Sequence, residues 1–155
     1  MLRTRFEKLI QNADILREEE SYGEAIESYQ DAVALAKEAD LSLSELEVAE
    51  INFKIGETAV AAFGIDEAVE VYDSIILAFN DDFLQVARAH YEIGKAYMDD
   101  GCWQEAASNM DLGLRFLSRA GISANPYANE ARLALRGLLL SKWRAASSQL
   151  EPGPD

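Results

Sequence analysis

The sequence contains one cysteine, Cys102, and one histidine, His90. A lone cysteine excludes an internal disulfide and a cysteine-rich zinc site, and a lone histidine excludes a histidine-rich metal site. Proline is confined to Pro126, Pro152 and Pro154, so no ring interrupts helix formation before residue 126. Basic residues are scarce. Fourteen Lys and Arg stand against 28 Asp and Glu, a net charge of -14. That balance lacks the basic patch that phosphate contacts need, which argues against a nucleic-acid partner, and it disfavours anionic membrane surfaces. No apolar run reaches the ~18 residues of a membrane span, so no membrane insertion is expected. The opening MLRTRFEKLIQNAD is broken by charge every few residues, unlike a secretory leader. The expected location is cytoplasmic. Also missing are a P-loop, G-x-S-x-G, H-E-x-x-H, C-x-x-C and an EF-hand loop. The expectation is a non-enzyme with no cofactor and no metal site.

What is present is helical periodicity. Apolar residues recur three and four apart, as in Leu9-Ala13-Leu16, Ala25-Ile26-Tyr29-Val33-Ala36 and Ile51-Ile55-Ala59, and alternating β-branched runs are absent. Breaks near residues 20–21, 40–44, 64, 80–82, 101 and 121–126 leave seven helices, expected near 4–20, 22–39, 44–62, 66–79, 82–99, 103–120 and 127–149. Ser21-x-x-Glu24 and Ser44-x-x-Glu47 read as capping boxes. Asp81-Asp82 and Asp99-Asp100 suit turns and N-caps, and Gly64 and Gly101 suit left-handed helix ends. The 155 residues predict one domain over 1–150, with residues 151–155, Glu-Pro-Gly-Pro-Asp, as a disordered tail.

Three segments resemble one another. Gly56 and Gly94 are each followed by an alanine 12 residues on, Ala68 and Ala106, as Ala13 is by Ala25. Glutamate precedes each alanine (Glu24, Glu67, Glu105), and Tyr29, Tyr72 and Met110 follow four residues later. Tyr22, Ile65 and Trp103 stand three before. On these residues the chain resembles the tetratricopeptide repeat (TPR) family, whose pattern is W-x2-L-G-x2-Y, A-x3-F, P. The tryptophan slots hold Leu9, Asn52 and His90; the glycine slots hold Ala13, Gly56 and Gly94. The alanines are 43 and 38 residues apart, more than the family's ~34, and the closing prolines are absent. The resemblance implies an all-α, TPR-like α-solenoid of the extended-repeat type. Three antiparallel hairpins, at about 4–40, 44–80 and 82–121, are followed by a C-terminal capping helix at 127–149.

The resemblance also implies a function. In the family, one stripe of the first helices faces a concave groove that takes a peptide or helix from another protein. That stripe here is Ile10, Asp14 and Arg17; Phe53, Lys54, Glu57 and Val60; and Tyr91, Lys95 and Met98. Phe53 and Tyr91 are expected as the central anchors, with internal packing as the alternative for them. The carboxylate clamp of chaperone-tail-binding members does not transfer: Ile10 and Asp14 occupy its first lysine and asparagine slots, and among the clamp's slots only Lys54 and Lys95 offer positive charge. Residues 18–83 hold 18 acids against Lys37 and Lys54, which favours a basic or amphipathic partner segment. The reading is thus a protein-interaction adaptor or scaffold. The alternative is a specialised chaperone for a secreted or assembly-prone protein, similar to the small acidic TPR chaperones of type III secretion, from which the long repeats and missing prolines depart. The last helix carries Leu135, Leu138, Leu139 and Trp143, more apolar than a solvent-facing cap requires. These four are expected to cap the third repeat, to pair with a second copy as a homodimer, or to fill the groove. His90, in a packing slot, is expected to pack rather than to bind a ligand.

Overall fold

The computed structural model describes residues 2–41, 43–121 and 126–150. Among them are seven helices and no strand: α1 (Leu2–Glu18), α2 (Tyr22–Glu38), α3 (Glu45–Phe63), α4 (Ile65–Ala78), α5 (Phe83–Asp99), α6 (Trp103–Ala120) and α7 (Pro126–Leu150). No helix end departs from its sequence expectation by more than two residues. The tail, residues 151–155, lies outside the described residues.

Backbone chemistry at the corners explains why the ends were legible. At the close of α1, the Ser21 N–H reaches the Leu16 carbonyl (2.8 Å) and the Glu20 N–H reaches that of Arg17 (3.0 Å). The same pair of bonds closes α2 through Leu41 to Ala36 (2.9 Å) and Asp40 to Lys37 (3.3 Å), and α5 through Cys102 to Tyr97 (2.9 Å) and Gly101 to Met98 (3.0 Å). Each is a Schellman turn with one left-handed residue: Glu20 (φ 63°), Asp40 (φ 49°) and Gly101 (φ 75°). Gly64 alone joins α3 to α4, at φ 92° and ψ -169°, a conformation essentially reserved for glycine.

Helix starts divide. The Ser44 capping box forms: Ser44 Oγ accepts from the Glu47 N–H (3.1 Å), and Glu47 Oε2 accepts from the Ser44 N–H (3.0 Å). Asp82 accepts from the Gln85 N–H at 3.4 Å. The expected box at Ser21 does not form, and the Ser21 side chain makes no cap bond. Its backbone is already committed to closing α1. Consequently Ser21 has ψ 66°, where Ser44 has the extended ψ of 155° that aims a capping oxygen inward.

The chain forms two compact units, the first ending at Val71 and the second beginning at Tyr72, within α4. In the first, α1 packs on α2 and α2 on α3. Its core is Phe6 and Ala13 from α1, Ala25, Tyr29, Ala32 and Ala36 from α2, and Ile51 and Ile55 from α3. In the second, α5 packs on α6, and α7 on both. Ala87, Tyr91, Met110, Leu117, Leu135 and Leu139 form one buried cluster there, and Ala106, Ala107 and Ala146 another. The repeat alanines Ala25, Ala68 and Ala106 are all 0% exposed, as a small residue at a close helix crossing should be. A β-carbon on Gly113 of α6 would sit 2.7 Å from Leu139 Cδ2 and 3.3 Å from the Ala87 carbonyl; α5, α6 and α7 meet at that glycine. Both tryptophans belong to the second unit: Trp103 opens α6, and Trp143 lies on α7.

Candidate partner-binding site

In the first unit, the predicted stripe of α1 meets that of α3 through ion pairs. Lys54 Nζ donates to both oxygens of Asp14, at 3.1 and 3.2 Å. Arg17 Nη1 donates to Glu57 Oε2 at 3.3 Å. Towards the start of both helices, Arg3 Nη2 donates to Glu47 Oε1 at 2.6 Å. The rungs run in the same order along both helices, so α1 and α3 are parallel. Such exposed pairs contribute little stability, roughly 0–1 kcal/mol each, but they fix which side chains stand between them. Asp14 is further held by Tyr29, whose hydroxyl donates to it. Burial first, and the Asp14 carboxylate second, push the Tyr29 hydroxyl well above the ordinary phenol range, so it remains a neutral donor. The Lys54 ammonium lies 6.0 Å from the Tyr29 ring centroid, within cation–π range. Arg3 and the Ser44 capping bonds hold the Glu47 carboxyl below its usual range.

Between the Arg3 and Lys54 rungs lies a cleft of about 290 Å³ lined by Phe6, Ile10, Ile51, Glu47, Glu50 and Lys54. Its floor is apolar: Phe6 and Ile51 are buried and Ile10 is half-buried. Its rim is charged. This volume is at the small end for a ligand pocket and suits an inserted apolar side chain. Sequence reasoning had placed Ile10 and Lys54 here but missed Phe6, Glu47, Glu50 and Ile51. The available signal was the i, i+4 pairs Phe6/Ile10 and Glu47/Ile51, each placing two residues on one helix face. Of the remaining first-unit residues, Val60 is half-buried and Glu57 exposed.

The expected aromatic anchors are not on display. Phe53 is 1% exposed and Tyr91 9%. Both are packing residues, because one position further round a long helix still points partly into its hairpin. Tyr91 belongs to the cluster that contains Leu135 and Leu139 of α7, with Met98 packed at its edge. Lys95 pairs with Glu92 at 3.0 Å and lies 5.5 Å from the Tyr91 ring centroid. The four α7 residues also separate: Leu135 and Leu139 are buried within their own unit, whereas Leu138 (47%) and Trp143 (38%) are exposed. Leu135 and Leu139 are thus occupied by packing within their own unit, and of the four only Leu138 and Trp143 offer surface to a second copy.

His90 is half-buried, stacked on Phe116 at 5.6 Å and 9°, and its Nδ1 lies 3.1 Å from Asn109 Oδ1. Asn109 donates its amide to the Glu105 carbonyl at 2.9 Å, which leaves Oδ1 to accept from Nδ1–H. Burial lowers the His90 pKa, offset in part by that bond. The ring is a neutral packing group. A larger hollow of about 400 Å³ in the second unit is bordered by Asp81, Asp82, Arg119 and Arg132 among others, with opposite charges in equal number. Among the described residues, no cluster of His, Cys, Asp and Glu is arranged to hold a metal, and no helix is long and apolar enough to cross a membrane.

No family model matches the chain, and no curated protein matches it in sequence. Among solved structures, the crystal structure of PcrH from Pseudomonas aeruginosa superimposes with a TM-score of 0.61 at 16% identity. The match covers 93% of this chain and 92% of that one. At this identity the likeness is one of fold: the chain is an all-α protein of helical hairpins closed by a C-terminal helix.

Proposed function

We propose that the chain is a protein-binding helical-repeat module, and that the α1–α3 cleft receives an apolar side chain of a partner segment. The observation that carries this is the composition of the cleft: an apolar floor of Phe6, Ile10 and Ile51 inside a rim whose charges are engaged within the chain. Pairing leaves the rim with little pull of its own, so insertion of an apolar group supplies the affinity. The acid excess of residues 18–83 attracts a segment with basic residues flanking its anchor, raising the association rate more than the affinity.

Within this reading, adaptor and chaperone differ in the state of the partner. The likeness to PcrH at 16% identity is one of fold and is shared by both forms, so the partner's own solubility is what sorts them. The experiment is affinity capture from extracts of the source cells, quantified by mass spectrometry, with the full chain and with Ile10→Glu. Ile10 is half-buried at the cleft and the charge reaches solvent, so helicity should be retained. Loss of a specific protein from the variant supports the cleft; identical capture by a folded variant removes it. Co-expression then sorts the two forms: a client soluble only with this chain marks a chaperone, and a client soluble alone marks an adaptor.

A further inference from the structure

α7 carries a face that its own unit does not explain. Its buried stripe is Leu135, Leu139 and Ala146. On the side turned away, Glu130, Leu133, Ala134, Gly137, Ser141 and Arg144 are exposed, with Leu140 half-buried at the edge. Leu133 is 55% exposed. Gly137 stands mid-helix, where glycine costs about 1 kcal/mol relative to alanine. A β-carbon there would meet nothing within 4 Å, so packing inside the chain does not call for glycine.

A second copy of the same helix accounts for it. Glu130 and Arg144 lie seven residues to either side of Gly137. Residues facing one another across an antiparallel pair have numbers that sum to a constant. With the two Gly137 residues at the crossing, Glu130 of each copy faces Arg144 of the other. In that register Leu133 faces Ser141 and Leu140 faces Ala134, each bulky side chain against a small one. The face is thus complementary to itself in charge and in size, which is the requirement of an isologous two-fold contact. Glycine at the crossing lets the backbones approach closely.

We propose that the protein forms a two-fold dimer through the outward face of α7, centred on Gly137. This face is distinct from the Leu135–Leu139 stripe, which is consumed within the chain, and from the α1–α3 cleft in the other unit. A single helix pair is at the small end of specific interfaces, so the dissociation constant should be on the order of micromolar. The net charge of each copy opposes association, which makes physiological salt the proper condition.

Sedimentation equilibrium of the full chain, from low to high micromolar, tests this. The wild type should pass from monomer to dimer. Gly137→Leu should remain monomeric with unchanged helicity, because its side chain enters open space. Glu130→Arg and Arg144→Glu should each weaken the dimer at least ~10-fold, since each places like charges together at both ends of the pair. The double reversal should restore it. Glu130 and Arg144 are ~21 Å apart along one helix, so this rescue has no intrachain explanation. A wild type that stays monomeric throughout overturns the proposal. So does a dimer indifferent to Gly137→Leu, and so does a double reversal that fails to rescue.

Discussion

Glu20 and Asp40 occupy left-handed positions at which the equivalent corner carries Gly101. A β-carbon in that conformation costs roughly 1 kcal/mol, and both acids sit at helix C-termini, where negative charge opposes the dipole. Glu20→Gly and Asp40→Gly should therefore each stabilise the protein, by about 0.5–1 kcal/mol, read as a higher urea midpoint. His90 makes a pH prediction. Its folded pKa is lowered by burial from 6.5, so the unfolded chain binds more protons once pH falls below that value. The stability it contributes is complete above 6.5 and is lost as pH drops towards the folded pKa. Urea unfolding at neutral and mildly acidic pH should show a smaller acid-induced loss for His90→Gln than for the wild type.

At the scale of elements, neighbours on α7 have opposite fates. Leu139 is 0% exposed against Gly113, whereas Leu138 is 47% exposed. Leu139→Ala should cost about 2–5 kcal/mol, and Leu138→Ala less than about 0.5 kcal/mol, by thermal or chemical unfolding. The run Leu138-Leu139-Leu140 hid this difference, since a continuous apolar run does not declare which member faces inward. Helix limits were legible because glycine, serine and acidic caps act locally. The Ser21 cap was misread because two turns share three residues there, and closing α1 fixed the backbone first. The repeat alanines were legible because a crossing that close admits only the smallest residues. Phe53 and Tyr91 were misplaced because a stripe defined by periodicity carries a rotational uncertainty of about one residue, 100° of helix. The ion pairs Asp14–Lys54 and Arg17–Glu57 depend on how two hairpins align, and local sequence does not record that.

For the whole molecule, the charge distribution is the dominant long-range term. Eighteen acids and two bases between residues 18 and 83 repel one another in the folded state. Raising ionic strength from about 0.01 to 0.15 M shortens the screening length from ~30 to ~8 Å and should raise Tm, by about 2–4 °C for each ~1 kcal/mol of repulsion relieved. If Tm falls instead, the attractive rungs between α1 and α3 outweigh the repulsion. The division of the chain at Val71 and Tyr72 has an optical consequence. Trp103 and Trp143 both lie beyond it, and the first unit holds only tyrosine and phenylalanine as chromophores. Indole emission therefore reports the second unit alone, while far-ultraviolet dichroism sums helices from both. Recorded together on one sample, the two signals show without any label whether the halves of this protein melt as one body or in sequence.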